Sequence, residues 1–138
     1  MKKVFVLGLS LVSLLLLCGC DNIVSQEKWN NLELGMSPKQ VEKVVGKPKK
    51  VISDADPILE EIYEMYSTGQ DLLATGKSLG VDDSDSLEKK QDDISNLYTL
   101  AKRSEHLKEY IYNVKDAKEK QAFFVDGRLE YFNYLIKD

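Results

Sequence analysis

The stretch from Leu34 to Pro48 constrains this chain most, because it spells out a complete helix with both ends marked. Ser37 stands at the N-cap, Pro38 at the first helical position, and Gln40 where it can close a reciprocal capping box. Met36, just before the cap, is set to staple onto Val41. Val41, Val44 and Val45 recur at i, i+3 and i+4 and form one narrow apolar face. Gly46 follows at a position suited to a left-handed turn, and Pro48 forbids continuation. A helix of about eight residues is shorter than the ~12–15 that an isolated helix needs. Other parts of the chain must therefore hold it in place.

Trp29, Leu32 and Leu34 precede the helix at a spacing that lets them lie against it, and Trp29 reads as packing rather than as an interfacial anchor. Beyond Pro48, residues 49–53 read as a short strand or an extended connection. Asp56-Pro57 then opens a second helix as cap and first position, with Glu60 and Glu61 favourable in its first turns. Ile58, Ile62, Met65, Leu72 and Leu79 fall on a heptad-like seam whose two remaining positions are Gly69 and Gly76. Glycine costs about 1 kcal/mol in a helix, so a seam holding two predicts close helix–helix contact. After a polar turn, a third helix is expected from Asp85 or Ser86 to about Leu107, with Leu87, Ile94, Leu97, Tyr98, Ala101 and Leu107 on its apolar stripe. The acidic run from Asp82 to Asp93 lacks the glycine and closing glutamate of a calcium loop. Residues 56–107 thus read as an antiparallel helical hairpin inserted into a domain spanning residues 29–138.

The last thirty residues change period. Residues 110–114, 121–125 and 128–136 are aromatic and β-branched, as strands prefer. Asp126-Gly127 between the last two calls for a type I′ hairpin turn. A two-residue turn sets Phe124 opposite Leu129 and Ala122 opposite Tyr131, on the side expected to receive Val41, Val44 and Val45. Phe123, Phe132 and Tyr134 then fall among charges on the other side. There they are either covered by the hairpin or anchor a protein partner. The expected fold class is α+β: a short N-terminal helix on a three-stranded antiparallel sheet, with the helical hairpin inserted.

The first residues follow different rules. Met1-Lys2-Lys3 is a basic start, and residues 4–17 form an apolar run too short for a comfortable membrane span. Leu17-Cys18-Gly19-Cys20 resembles a bacterial lipobox. That resemblance implies a signal peptide over 1–19, cleavage before Cys20, lipid on its thiol, and a tether over 20–28. The 19 Lys and Arg, less Lys2 and Lys3, leave 17 against 23 Asp and Glu. Such a balance argues against nucleic acid as a partner, and against a polybasic grip on anionic lipid. Cys18 and Cys20 are the only cysteines, so the mature chain is expected to hold no disulfide.

Gly35-Met36-Ser37-x-x-Gln40-Val41-x-x-Val44-Val45-Gly46-x-Pro48 resembles the signature of the SmpA/OmlA (BamE-like) lipoproteins. Phe124-Val125-Asp126-Gly127-Arg128-Leu129 resembles the hairpin near the end of the same family. The resemblance implies a membrane-anchored, non-enzymatic scaffold or binding subunit of the cell envelope, of the kind that assists outer-membrane protein assembly. The helical hairpin departs from the family pattern. Asp21 after the lipid-bearing cysteine resembles an inner-membrane retention signal, which leaves inner and outer membrane both open. The same helix-plus-sheet arrangement also resembles β-lactamase-inhibitor-like domains, which implies a free-standing binder or inhibitor.

Catalytic chemistry has few candidates in this sequence. His106 is the single histidine, expected late in a charged helix, and no thiol besides Cys18 and Cys20 accompanies it. Zinc sites and Cys–His catalysis lack their residues, and no nucleophile-elbow, Walker or dinucleotide glycine pattern occurs. No catalytic residue, metal ligand, cofactor or small-molecule substrate is therefore expected.

Overall fold

Strand Leu107–Val114 (β3 below) is the axis of the molecule, since every other described strand but the last is registered on it. The computed structural model describes residues 22–80, 84–117 and 119–133. In chain order the elements are β1 (Ile23–Val24), α1 (Gln26–Asn30), α2 (Pro38–Val45), β2 (Lys50–Ile52), α3 (Ala55–Leu79), α4 (Ser84–Ala101), β3 (Leu107–Val114), β4 (Lys120–Val125) and β5 (Arg128–Phe132). β4 pairs antiparallel with β3, and β5 with β4. The other edge of β3 is shared. β2 runs antiparallel along Glu109–Ile111, whereas β1 runs parallel to Asn113–Val114.

The expected three-stranded antiparallel sheet under one short helix is therefore corrected to a mixed sheet of five strands with four helices. The physical reason lies at the N-terminal side. Ile23–Val24 enters the sheet, with Lys115 N–H donating to the Val24 carbonyl at 2.8 Å. Asn22 Nδ2 donates to the Val45 carbonyl at 2.9 Å, tying this entry point to the end of α2.

The marked helix forms as its sequence requires. Ser37 Oγ accepts from Gln40 N–H at 3.2 Å, and Gln40 Oε1 accepts from Ser37 N–H at 2.8 Å. Gly46 has φ +85° but an extended ψ of −171°, so it ends the helix through a glycine-only conformation other than the left-handed helical one. Val41 and Val45 are fully buried and Val44 packs partly against the same core. Gly35, at φ +89°, turns the chain so that its N–H donates to the Leu129 carbonyl at 2.7 Å. Leu129 N–H in turn donates to the Met36 carbonyl at 2.8 Å, so this loop covers the outer edge of β5.

The sheet separates two cores. One face packs α1 and α2 through Trp29, Leu32, Val41 and Val45 onto Tyr110, Tyr112, Phe124 and Leu129. The other packs the α3–α4 hairpin through Ile58, Ile62, Ile94 and Leu97 onto Leu107, Phe123, Val125 and Tyr131. The Asp126-Gly127 turn has positive φ at both positions, +49° and +79°, as a type I′ turn demands. Phe124 does face Leu129. Beyond it the register slips, so that Tyr131 faces Phe123 and Phe132 faces Ala122. Glu130 is the extra residue of this bulge, and it turns Tyr131 to the hairpin side and Phe132 to the Trp29 side.

Helix bounds also shift. α3 begins at Ala55 with Asp54 as its cap, two residues before the expected Asp56 start. α4 ends at Ala101, and Leu107, expected on its stripe, opens β3 instead. His106 lies in the connecting turn, where its carbonyl accepts from Asp126 N–H at 3.0 Å. At 25 residues, α3 is about 37 Å long, yet its buried residues are Ile58 and Ile62 near its start. Its later turns, with Leu72 and Leu79 exposed, are tied to α4 by Lys77–Glu88 at 2.6 Å.

Candidate functional site

The hairpin's two helices diverge from the sheet beyond Ile62 and Ile94, and a groove of about 450 Å³ opens there. One wall comes from α3, with Glu61, Glu64, Met65 and Leu72. The facing wall comes from α4, with Leu87, Lys90, Gln91 and Ile94, and Tyr131 and Asn133 close the end at the sheet. Gly69 makes the two helices approach: a Cβ at this position would land on Gln91 Oε1. Gly76 does not serve the same purpose, since its Cβ would meet only Leu87 Cδ1 at 4.0 Å. The close contact expected at both seam glycines therefore holds at Gly69 alone.

Behind the groove lies a pair of carboxyls. Glu109 projects from β3 to the hairpin side and is fully buried. Neither of its oxygens receives a hydrogen bond from any described donor. Glu61 faces it from α3, and Gln121 Nε2 on β4 donates to Glu61 Oε1. Two carboxyls in contact can bond only if one of them carries a proton. Burial first, then the charge of Glu61 and the bond shared with it, push Glu109 from 4.5 up to about 7, while Lys50 on β2 pulls the other way. Glu109 therefore keeps its proton well above the ordinary carboxylate range.

Gln91 adds a second incomplete group. It is 5 % exposed, and its Nε2 donates to the Tyr66 carbonyl at 3.2 Å. Its Oε1 accepts no hydrogen bond from the described residues. Buried polar atoms are nearly always satisfied, so Gln91 in the wall and Glu109 behind Glu61 mark this side of the sheet out.

Comparison with family models, with characterised proteins and with solved structures finds no match to this chain. The groove must speak through its own chemistry.

The residues singled out from the sequence lie elsewhere. Phe123 is 1 % exposed beneath the hairpin. Phe132, at 9 %, packs its ring 6.1 Å from Trp29 on the opposite face. The proposed docking face is thus not a face at all: the hairpin covers one anchor and α1 the other. Tyr134 and Cys20 lie outside the described residues. Gly35, Ser37, Pro38, Val41, Val44, Val45, Gly46 and Pro48 build and end α2, and Asp126 and Gly127 make the β-turn. None of them lines the groove.

Glu61, Glu109 and Gln91 escaped the sequence reading. Glu109 had a signal: in Leu107-Lys108-Glu109-Tyr110-Ile111 it alternates in step with Leu107 and Ile111 and so shares their face. Among the described residues no group of three or more His, Cys, Asp or Glu is close enough to hold a metal ion. No described helix is long and apolar enough to cross a membrane. The site offers hydrogen-bond acceptors, an apolar channel, and a carboxyl pair able to exchange one proton.

Proposed function

We propose that this chain is a lipoprotein of the bacterial cell envelope, attached through lipid on Cys20, and that it works as a non-enzymatic binding subunit for a protein partner. The lipobox and the SmpA/OmlA-like residues of α2 and the Asp126-Gly127 turn support this reading. One structural observation carries it furthest. Asn22, two residues after Cys20 in the chain, is already tied to the fold, its side chain donating to the Val45 carbonyl. An acylated Cys20 would hold such a body directly against the bilayer, with the groove as its binding feature. Stable attachment by acylation needs more than one chain, as a lipobox cysteine would carry.

A second reading is a free-standing envelope binder or inhibitor. The size of the groove favours it, because about 450 Å³ suits one inserted segment more than a broad assembly interface. Mass spectrometry of the membrane fraction tests the anchor: acyl groups on Cys20 are expected, and an intact Met1 with an unmodified thiol at Cys20 would refute it. Crosslinking in the native envelope separates the two roles. A stable membrane complex supports the scaffold, and capture of a soluble envelope protein supports the binder.

A further inference from the structure

The groove is long and its polarity is graded. Glu61 and Leu72 on α3 are eleven residues apart, roughly 16 Å of helix, which about five extended residues would span. Glu61 and Glu64 stand at one end, with Glu109 buried behind Glu61. Gln91 lies part-way along with its Oε1 packed against Gly69, and Leu72 and Leu87 line the far end. Lys90 is the one cation among the described lining residues.

We propose that the groove receives a short extended segment of a partner protein carrying a Lys or Arg at one end and apolar side chains beyond it. The basic side chain meets Glu61 and Glu64 at one end, and the apolar side chains lie along Met65, Leu72, Leu87 and Ile94. This rests on reading the chain as a binding subunit and names the chemistry of what it binds. Charge complementarity selects the basic end. In the free protein a shared proton neutralises one of the two carboxyls, and a ligand cation at Glu61 supplies the same positive charge. Proton and ligand therefore compete for one place.

The groups that face the pair are Lys50 from β2, Gln121 from β4 and Glu64 one turn along α3. Only a proton on the carboxyls themselves is exchanged. Because the free pair holds that proton up to about pH 7, affinity for the basic segment should rise roughly tenfold from pH 6 to pH 8, with about one proton released per segment bound at pH 6.

The test is calorimetric titration of the full chain in lipid nanodiscs with a blocked hexapeptide of one lysine followed by alternating leucine and threonine. The same peptide with glutamate in place of lysine, and n-hexylamine, serve as comparisons. The lysine peptide should bind with the stated pH dependence, and the glutamate peptide should not. Glu61→Gln and Leu72→Glu should each weaken binding at least tenfold, the latter at an exposed position that leaves the fold intact. Glu109→Gln should still bind but without the pH dependence. Equal binding of both peptides, undiminished binding in both weakening variants, or no binding would overturn the proposal. So would hexylamine binding as tightly as the peptide, which would make this a small-amine pocket. An unacylated Cys20 would leave a positive titration standing, and a failed titration would leave the lipid anchor standing.

Discussion

The two faces of the sheet bury similar kinds of apolar residue but finish their polar groups differently. On the α1–α2 face, Trp29 packs edge-on against Tyr112 at 5.5 Å and gives its Nε1–H to the Asn133 carbonyl at 2.6 Å. Tyr112 OH donates to the Gly46 carbonyl at 3.0 Å, and Tyr110 OH donates to Glu42 at 2.9 Å. Even buried Lys120 lies 6.0 Å over the Trp29 ring. On the hairpin face, Gln91 Oε1 has no described donor and Glu109 meets only the carboxyl of Glu61, and a groove opens beside them. A buried unpartnered polar group costs about 1–3 kcal/mol. The first face leaves one such atom, Gln26 Oε1 on α1, amid a set of completed bonds, whereas the second gives up stability beside a cavity, as binding sites do.

The largest expected effect tests the finished face. Trp29→Ala removes two ring contacts and orphans the Asn133 carbonyl, so urea unfolding should show a loss of about 3–5 kcal/mol. A loss below about 1 kcal/mol would mean that face is not the stabilising one.

Next in size is the contrast in pH. Folding raises Glu109 from 4.5 to about 7, so between those values the native state binds more protons than the unfolded chain. Stability should therefore fall as pH rises through this window and level off above it, by about 3 kcal/mol. Glu109→Gln should abolish this slope, leaving the protein more stable than wild type at pH 8 and little changed at pH 4.5. Parallel pH profiles for variant and wild type would contradict the carboxyl pair.

The smallest effect distinguishes the two seam glycines. Gly76→Ala has room and should gain up to about 1 kcal/mol from helix propensity. Gly69→Leu must displace buried Gln91 and should lose about 1–3 kcal/mol. Thermal melts with the same sign for both variants would remove the distinction.

What the sequence made legible is local. The capping box of α2, the Asp126-Gly127 turn and the antiparallel hairpin are each encoded by residues within a few turns of one another. The misses depend on distant pairing. Ile23–Val24 is too short to show a period, and its partner lies ninety residues later on β3. The bulge at Glu130 leaves an ordinary alternating pattern, so its inversion of Tyr131 and Phe132 could not be read. The helical reading ran to Leu107 because the turn after Ala101 contains neither Gly nor Pro. There Ser104 Oγ accepts from His106 N–H at 3.0 Å and donates to Asp126 at 2.7 Å. That overrun hid Glu109, and with it the site.

Glu109, buried on the hairpin face, keeps its proton well above the ordinary carboxylate range through burial and its contact with Glu61. Titrating the side-chain carboxyl carbon of Glu109 by NMR from pH 4 to pH 9 measures it directly. The midpoint is expected near 7 and should move when Glu61 is replaced by Gln. A midpoint near 4.5, unmoved by that replacement, would contradict it.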